Sequence, residues 1–488
     1  MTSSPVRRRE VARLFLFLLV AAVFAAAPTA AASRHAEAQM QIQWEGLTVE
    51  EHLQRQLELS RQLAGELPAG ALERAVRVPL TAAEIAAIDQ APRWQSPLKV
   101  GVVKALAAKI EVAGLSRRQM RPTADGGLVW AKAVKADGAG GVRLHIQGLS
   151  LPRKAELYVY SRKGEAFGPF TGTGPNRNGS FWTTAVFGSE AILQLRFNGP
   201  VRNADLRAAS FRVAEAGLIT VRFAGELLEN DFAPQLEVGE ANWPCGNINC
   251  LVDASCFNVA IANPAKNAIA KMEWPQGGFL YTCTGGLITD NNPTLSNFFL
   301  TANHCFSKNN VAQNVSFYWK YATTACNGVC PTNSGWPYKT TGSTVSSTNR
   351  KSDYTLIRLS ANPPAGSVFL GWNSTPVANS NGAALYRVSN PNFGPQVYSQ
   401  HNVDTSAGTC SGWSRGQWIY SRDITGAIDG GSSGSPVLNA SSQVVGQLSG
   451  TCGFNPGDAC ASGPGEDNAT VDGAFASYYP TIQPIINP

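Results

Sequence analysis

Cysteine is missing from the first half of the chain. All ten cysteines of the 488 residues lie at or after Cys245. An N-terminal half without cysteine cannot be a disulfide scaffold or a cysteine-ligated zinc domain. The even number in the C-terminal half is typical of disulfide pairing in an oxidising compartment. The sequence therefore predicts two different kinds of domain joined in one chain.

Long hydrophobic runs are also missing, apart from one short apolar stretch near the start. That stretch extends from about Leu14 to Ala27, follows three arginines and is followed by small residues up to Ser33. It is too short to span a membrane firmly, and its basic–apolar–small order is typical of a secretory signal peptide. We therefore predict a signal peptide at residues 1–32, no membrane partner, and a secreted, extracellular protein that crosses the periplasm if the cell is Gram-negative.

An excess of basic residues is missing from the C-terminal half. Residues 241–488 contain 11 Lys and Arg and 11 Asp and Glu, so the formal net charge of +6 arises in the first 240 residues. Nucleic-acid-binding domains carry a basic surface. The balance argues against a nucleic-acid partner, and the sequence predicts neither a cofactor nor a metal site.

The N-terminal half combines one helix with many short strands. Residues Thr48 to Leu67 have a helix-forming composition, and Thr48 and Glu51 have the spacing of a capping box. From about Gly126, short alternating segments separated by turns favour an antiparallel β-sandwich. The polar stretch from Glu229 to Pro244 predicts a linker. We therefore predict a β-sandwich-like region with some helix at residues 33–240.

The C-terminal half is rich in Gly, Ser, Asn and Thr, with short β-branched and aromatic runs between them. One short helix is predicted near Lys266 to Met272. No repeat of fixed period is present. This pattern is typical of a large all-β domain, and it predicts two packed barrels at residues 241–488.

Histidine is scarce in this half, where only His304 and His401 are present. If the domain performs acyl transfer near neutral pH, its general base must be one of the two. His304 follows the apolar strand "FFLTAN" and directly precedes Cys305. Cys283 lies 22 residues before Cys305, across a predicted hairpin. A Cys283–Cys305 disulfide would therefore fix the backbone next to this base.

The stretch "DGGSSGSPV" (429–437) is either a surface turn or a loop that holds a reactive serine, because glycine permits unusual backbone angles. A serine nucleophile needs an imidazole to take its proton and a buried carboxylate to orient that imidazole. Asp353 opens the alternating segment "SDYTLIRL", which predicts a strand entering the core. Asp404 and Asp423 lie in sequence that is polar and turn-like.

Three motifs in this order, "TANHC", "SDYTLIRL" and "GGSSGSPV", resemble those of the trypsin-like serine peptidases of the chymotrypsin fold. The resemblance is greater to the secreted bacterial lysyl endopeptidases, and it extends over Cys245 to Pro488. It implies that the two predicted barrels form a chymotrypsin-like double β-barrel.

The resemblance also implies roles for individual residues. His304 would be the general base, Asp353 its orienting carboxylate and Ser433 the nucleophile. The backbone N–H groups of Gly431 and Ser433 would form the oxyanion hole. Two positions depart from the usual pattern. Asn303 replaces an alanine, and Ser432 stands where animal enzymes have an aspartate that receives the freed N-terminus.

Substrate specificity is where the sequence departs most from the lysyl endopeptidases. Their lysine-selecting aspartate lies three residues before a glycine, and the matching Gly473 puts Thr470 at that position. The resemblance therefore does not predict strict lysine preference. A negative charge for a basic substrate could come instead from Asp429, Asp467 or Asp472. The remaining predicted substrate-binding residues are Trp413, Ser449 and Gly450.

The resemblance implies further disulfides besides Cys283–Cys305. Cys326 would pair with Cys250 or Cys256, and Cys245 or Cys250 would pair with Cys452 or Cys460.

The N-terminal region loosely resembles the propeptide of lysyl-endopeptidase precursors. It would then assist folding, block the cleft and be removed. The predicted function is a monomeric serine endopeptidase, made as a preproprotein, that hydrolyses proteins or peptides through an acyl-enzyme. The alternative is an inactive protease fold that serves as a secreted binding or adhesion module.

Overall fold

A computed structural model describes residues 35–92, 96–223, 250–291, 295–328, 331 and 338–487. Within these ranges the chain is mostly β-structure with six α-helices. None of the described helices is long and apolar enough to cross a membrane. The predicted signal peptide and the predicted linker at 229–244 lie outside the described residues.

The helices are short except for the first and the last. Their bounds are α1 Val49–Gly65, α2 Ala82–Asp89, α3 Asn203–Ala208, α4 Ala262–Ala268, α5 Asn309–Ala312 and α6 Phe475–Ile486. The predicted capping box is present at α1, where Thr48 and Glu51 each bind the other's backbone N–H through a side-chain oxygen. The predicted helix near Lys266 to Met272 is wrong in its second half. Residues from Ile269 pair with a neighbouring strand, so that helix is α4 and ends at Ala268.

The described strands contribute buried side chains to the cores, and some of them, such as Phe298–Ala302 and Ala469–Ala474, are buried at every position. Those of the N-terminal region are β1 Glu37–Ala38, β2 Gln41–Gln43, β3 Val76–Arg77, β4 Leu98–Val112, β5 Arg121–Pro122, β6 Leu128–Lys135, β7 Ala139–Ser150, β8 Ala155–Tyr160, β9 Ala166–Phe170, β10 Phe181–Trp182, β11 Val186–Phe187, β12 Glu190–Phe197 and β13 Ser210–Thr220. Those of the C-terminal region are β14 Val252–Asp253, β15 Ile269–Gln276, β16 Phe279–Leu287, β17 Phe298–Ala302, β18 Ser316–Trp319, β19 Lys339–Thr341, β20 Ser343–Asn349, β21 Tyr354–Leu359, β22 Ser367–Phe369, β23 Trp372–Asn373, β24 Ala384–Ser389, β25 Val397–Val403, β26 Trp418–Thr425, β27 Pro436–Leu438, β28 Val444–Cys452 and β29 Ala469–Ala474.

The N-terminal region forms the predicted sandwich. One layer contains the antiparallel strands β7, β13 and β4, and the other contains β6, β12, β8 and β9. Buried aliphatic and aromatic side chains of both layers meet in one core, among them Leu144, Leu193 and Phe211.

The C-terminal region forms the predicted double barrel. Strands β27, β24, β25, β26, β29 and β28 pair in a closed ring, which is the second barrel. The first barrel is open and consists of β20, β21, β17, β16, β15, β18 and β19. Its core is aromatic, with edge-on contacts of Phe299 to Phe317 and Trp319. The fold class is therefore all-β with a chymotrypsin-like double barrel.

The two regions share backbone hydrogen bonds. Strand β4 of the sandwich pairs with β16 at the opening of the first barrel, so one twelve-stranded sheet runs through both regions. The strands β1 and β2, ahead of α1, pair with β23 and β22. The N-terminal region thus contacts the double barrel through a sheet and through an N-terminal arm.

Candidate active site

The pairing of β17 with β21 brings His304 and Asp353 together. His304 lies two residues after β17, and Asp353 lies directly before β21, whose Tyr354 pairs with Ala302. The His304 Nδ1 is 2.7 Å from Asp353 Oδ2, and the His304 backbone N–H donates to Asp353 Oδ1 at 2.8 Å. Asp353 is buried and has a left-handed φ of 49°. Its carboxylate therefore holds both the ring and the backbone of the histidine.

Ser433 lies in the loop that joins β26 to β27. Its carbonyl accepts a hydrogen bond from Thr284 N in β16 at 2.9 Å, which ties the loop to the first barrel. Gly434 follows with a φ of 82°, and a Cβ there would lie 2.7 Å or less from backbone atoms of both Thr284 and Ala302. The glycine is required because the loop passes this close to two strands.

The side chain next to both His304 and Ser433 belongs to the N-terminal region. Ser96 Oγ is 2.7 Å from His304 Nε2 and 2.5 Å from Ser433 Oγ. It lies two residues before β4, the strand that pairs with the first barrel. Ser96 therefore lies between the two groups that a serine protease needs in contact with each other.

A cleft of about 660 Å³ surrounds this arrangement. Of the residues predicted to bind substrate, Trp413, Ser449 and Gly450 line it. Of the three aspartates considered as a source of negative charge, Asp429 also lines it. The Asp429 carboxylate accepts a hydrogen bond from Asn392 Nδ2 at 2.9 Å.

Thr470 and Gly473 are not among the described residues that line the cleft. The Thr470 hydroxyl donates to Asp423 Oδ1 at 2.9 Å in the interior of the second barrel. Gly473 allows a close approach, because a Cβ there would be 2.4 Å from Ser352 O. Asp472 is fully buried and forms a 2.6 Å ion pair with Arg387. The role of Thr470 in substrate selection stays a prediction.

His401, the other candidate base, has partners of the same kind but lies elsewhere. Its Nε2 is 2.7 Å from Ser399 Oγ, and its Nδ1 is 2.6 Å from Asp423 Oδ1. His401 and Asp423 face each other across β25 and β26, and the His401 side chain has no exposed surface. The interpretation of the sequence around Asp423 as turn-like is wrong, because Asp423 is a buried strand residue.

Four disulfides join described cysteines. These disulfides are Cys283–Cys305, Cys256–Cys326, Cys250–Cys460 and Cys410–Cys452. The first joins β16 to the residue after His304. The second and third each match one of the alternatives implied by the resemblance, whereas Cys410–Cys452 was not predicted. Cys245 and Cys330 lie outside the described residues.

Comparison with known proteins identifies the family. The family model "Lysyl endopeptidase, C-terminal domain" matches residues 247–467, and "Lysyl endopeptidase N-terminal domain" matches residues 71–212. A lysyl endopeptidase of Pseudomonas aeruginosa is 27% identical over 406 residues, which are 80% of this chain and 82% of that protein. The chain belongs to the lysyl endopeptidase family. It is a trypsin-like serine endopeptidase that acts on proteins, and its disulfides fit an extracellular protein.

Solved structures of two other proteases are similar in part. The HtrA-type protease AlgW has a TM-score of 0.33 and 13% identity, over 47% of this chain and 64% of that chain. The Rv3671c protease from M. tuberculosis, in its active form, has a TM-score of 0.31 and 17% identity, over 48% of this chain and 88% of that chain.

Sequence reasoning did not find Ser96. It lies in "RWQSPLKV", and a serine before a proline gives no signal of a contact 337 residues away. Asp423 could have been found. The segment "WIYSRDIT" (418–425) is rich in aromatic and β-branched residues over a strand length, and this composition predicts a strand instead of a turn.

Proposed function

We propose that Ser433 is the nucleophile of this endopeptidase, with His304 as its general base and Asp353 as the orienting carboxylate. The observation that carries the proposal is the 2.7 Å contact from His304 Nδ1 to Asp353, with Ser433 Oγ reaching His304 Nε2 through the Ser96 hydroxyl. When the N-terminal region that carries Ser96 is removed, a small shift of the Ser433 side chain would let its hydroxyl donate to His304 Nε2 directly.

The reaction then follows from these groups. Ser433 Oγ attacks the scissile carbonyl carbon, and its proton passes to His304 Nε2 while Asp353 stabilises the imidazolium. The N–H groups of Gly431 and Ser433 donate to the oxyanion. His304 next protonates the leaving amine, which leaves an acyl group on Ser433. A water molecule, deprotonated by His304, hydrolyses this acyl-enzyme.

We also propose that the N-terminal region is a pro-region that inhibits the enzyme and assists its folding. Inhibition is supported by Ser96, whose hydroxyl takes up the hydrogen bonds of both His304 and Ser433. Assistance in folding is supported by β4, which completes the hydrogen bonding of β16 where the first barrel is open. Barrels whose paired strands are far apart in sequence fold slowly. If the sandwich folds first, the edge of β4 would already be available to β16 and would speed the assembly of the barrel.

We propose that Asp429 determines whether the enzyme prefers a basic substrate residue before the scissile bond. Asp353 and Asp429 are the carboxylates among the described residues of the cleft wall. Asp353 binds the ring and backbone of His304, and Asp429, which accepts a hydrogen bond from Asn392, lies outside that pair. A preference for a basic residue would therefore depend on Asp429. Cleavage of a peptide library by the wild type and by Asp429→Asn tests this directly.

N-terminal sequencing of the active secreted species tests the pro-region. We expect the active chain to begin between about residues 228 and 245. An active enzyme that begins near residues 33–39 would show that the sandwich is a permanent domain.

A further inference from the structure

The proposed oxyanion hole rests on a neighbouring loop. We call residues 429–433 the oxyanion loop and residues 390–394 the support loop. Asn392 N donates to Gly430 O at 2.7 Å. Gly431 has a φ of 96°, and a Cβ on it would lie 3.1 Å from both Asn390 O and Asn392 N. Because the loops are in direct contact, a shift of the support loop moves the N–H groups that would bind the oxyanion.

The support loop has an unfavourable backbone. Asn392 and Phe393 follow each other with φ angles of 53° and 60°, and neither is glycine. The left-handed region costs roughly 1–2 kcal/mol for a residue with a side chain. Asparagine tolerates it better than phenylalanine does. The conformation at Phe393 therefore depends on contacts that hold it.

Phe393 packs against aromatic rings, and its carbonyl is bound by Lys271 in β15. Lys271 Nζ donates to Phe393 O at 2.9 Å and lies 3.8 Å from the centre of the Phe393 ring. The Tyr321 ring is on another side, at 3.7 Å. Lys271 has no exposed surface. Burial, with the nearby Lys339 charge, holds the pKa of Lys271 well below its usual value. The Lys271 amine has an N–H that can donate to the Phe393 carbonyl in both its charged and its neutral form.

Other buried charges near Lys271 have partners in the N-terminal region. Glu273 forms a 2.9 Å ion pair with Arg143, and Lys339 pairs with Glu165. Removal of a pro-region would break both pairs. The hydrogen bond from Lys271 to Phe393 joins two residues of the double barrel, so it would persist in the processed enzyme.

We propose that Lys271 is a positioning residue for the oxyanion hole. It holds the Phe393 carbonyl, which keeps the support loop in its left-handed conformation and the oxyanion loop in place. The inference rests on the proposed function of Ser433 and His304. Lys271 touches neither substrate nor reacting atoms, so its effect must reach the transition state through the two loops.

The test replaces Lys271 by methionine, which keeps the length and burial of the side chain and removes the donor. The full chain is expressed, and the secreted active species is titrated with a fluorophosphonate so that rates are counted per active site. We expect kcat to fall about 10- to 100-fold with KM within about twofold, because oxyanion donors act mainly in the transition state. The matched control is Lys320→Met. Lys320 Nζ also donates to a backbone carbonyl, that of Ala365 at 3.1 Å, outside both loops. Its kcat should match the wild type.

If the kcat of Lys271→Met is within twofold of the wild-type kcat, the inference about Lys271 is overturned. The proposed function is unaffected by that result as long as the wild type is active. A wild type that neither hydrolyses protein nor reacts with the fluorophosphonate overturns the proposed function itself. If Lys271→Met is not secreted, Asn392→Ala decides. This half-buried change cuts the bond to Asp429 and makes the left-handed backbone less favourable. Asp429→Asn, which changes the same carboxylate without changing the backbone of the support loop, is the matched control. A kcat of Asn392→Ala below that of Asp429→Asn supports the inference, and equal kcat values overturn it.

Discussion

The molecule contains two histidines that are each held between an aspartate and a serine hydroxyl. At His304 these partners are Asp353 at 2.7 Å and Ser96 at 2.7 Å. At His401 the distances to Asp423 and Ser399 are 2.6 Å and 2.7 Å. The distances are nearly the same, but His304 Nδ1 is hydrogen-bonded to Asp353, whereas His401 Nδ1 has no hydrogen-bond partner among the described residues. Distance alone therefore does not distinguish the two sites.

The two sites differ in what surrounds them. The His304 side chain is 23% exposed and lines the cleft beside Ser433. His401 is enclosed within the second barrel, where no substrate carbonyl can reach Ser399. Access to a scissile bond and a nearby set of N–H donors therefore distinguish the proposed catalytic group around His304 from the group around His401. Substitutions at matched positions of the two sites test this difference.

The largest effect is expected from the two serines. Ser433→Ala should fold, be secreted and lose activity by roughly 10⁴-fold or more, because no nucleophile remains. Ser399→Ala should keep kcat within about threefold, since its hydroxyl only contacts a buried histidine. Hydrolysis of a protein substrate per mole of secreted enzyme measures both. Near-normal activity of Ser433→Ala would contradict the assignment.

The two aspartates should separate in the same way. Asp353→Asn should lower kcat on the order of 10⁴-fold, because an amide favours the wrong tautomer of His304. Asp423→Asn should leave kcat per active site within about threefold and instead lower stability by about 1–3 kcal/mol, because it disturbs a buried hydrogen-bonded pair. Kinetics after active-site titration give kcat for each variant, and chemical denaturation gives its free energy of unfolding. An equal loss of kcat in both would remove the distinction between the sites.

Ser96 gives an intermediate effect, confined to the unprocessed chain. Removing its hydroxyl in Ser96→Ala frees His304 and Ser433 from two hydrogen bonds of about 1 kcal/mol each. The unprocessed chain should then react with a fluorophosphonate about 10- to 30-fold faster. The matched control is Ser116→Ala, in the same region, whose hydroxyl contacts Gln119 instead. The processed enzymes of all three should be identical, and equal labelling of the unprocessed forms would exclude a role of Ser96 in inhibition.

The smallest effect on activity is expected at Asp404, the third aspartate that the sequence offered. Partial burial raises its pKa, but hydrogen bonds from Ser406 and the Arg422 guanidinium outweigh burial and lower the pKa to about 2. This lowered pKa stabilises the fold above the usual aspartate range, and the contribution is lost as pH falls towards 2. Asp404→Asn should therefore cost about 1–2 kcal/mol at pH 7, much less near pH 2, and leave kcat unchanged. Denaturation at several pH values checks the trend, which a constant difference would refute.

Local patterns in the sequence predicted much of this arrangement. The motif around Ser433, the strand after Asp353 and the cysteines beside His304 each depend on neighbouring residues. The double barrel and the sandwich followed from short alternating segments in the same way. Such features can be predicted because their physical cause lies within a few residues.

Contacts between distant segments could not be predicted. Ser96 meets Ser433 only because β4 pairs with β16, and a strand pairing between two regions leaves no mark in either segment. Lys271 supports Phe393 across 122 residues. Only the resemblance places Thr470 at the substrate pocket, and its hydroxyl donates to Asp423 inside the barrel.

The most direct test of the central claim maps the serine that reacts. The secreted active enzyme is labelled with a fluorophosphonate, digested, and the modified peptide is identified by mass spectrometry. The account predicts one label per molecule, on Ser433, and no label on Ser399. A label on Ser399, or an active enzyme that takes no label at all, would contradict it.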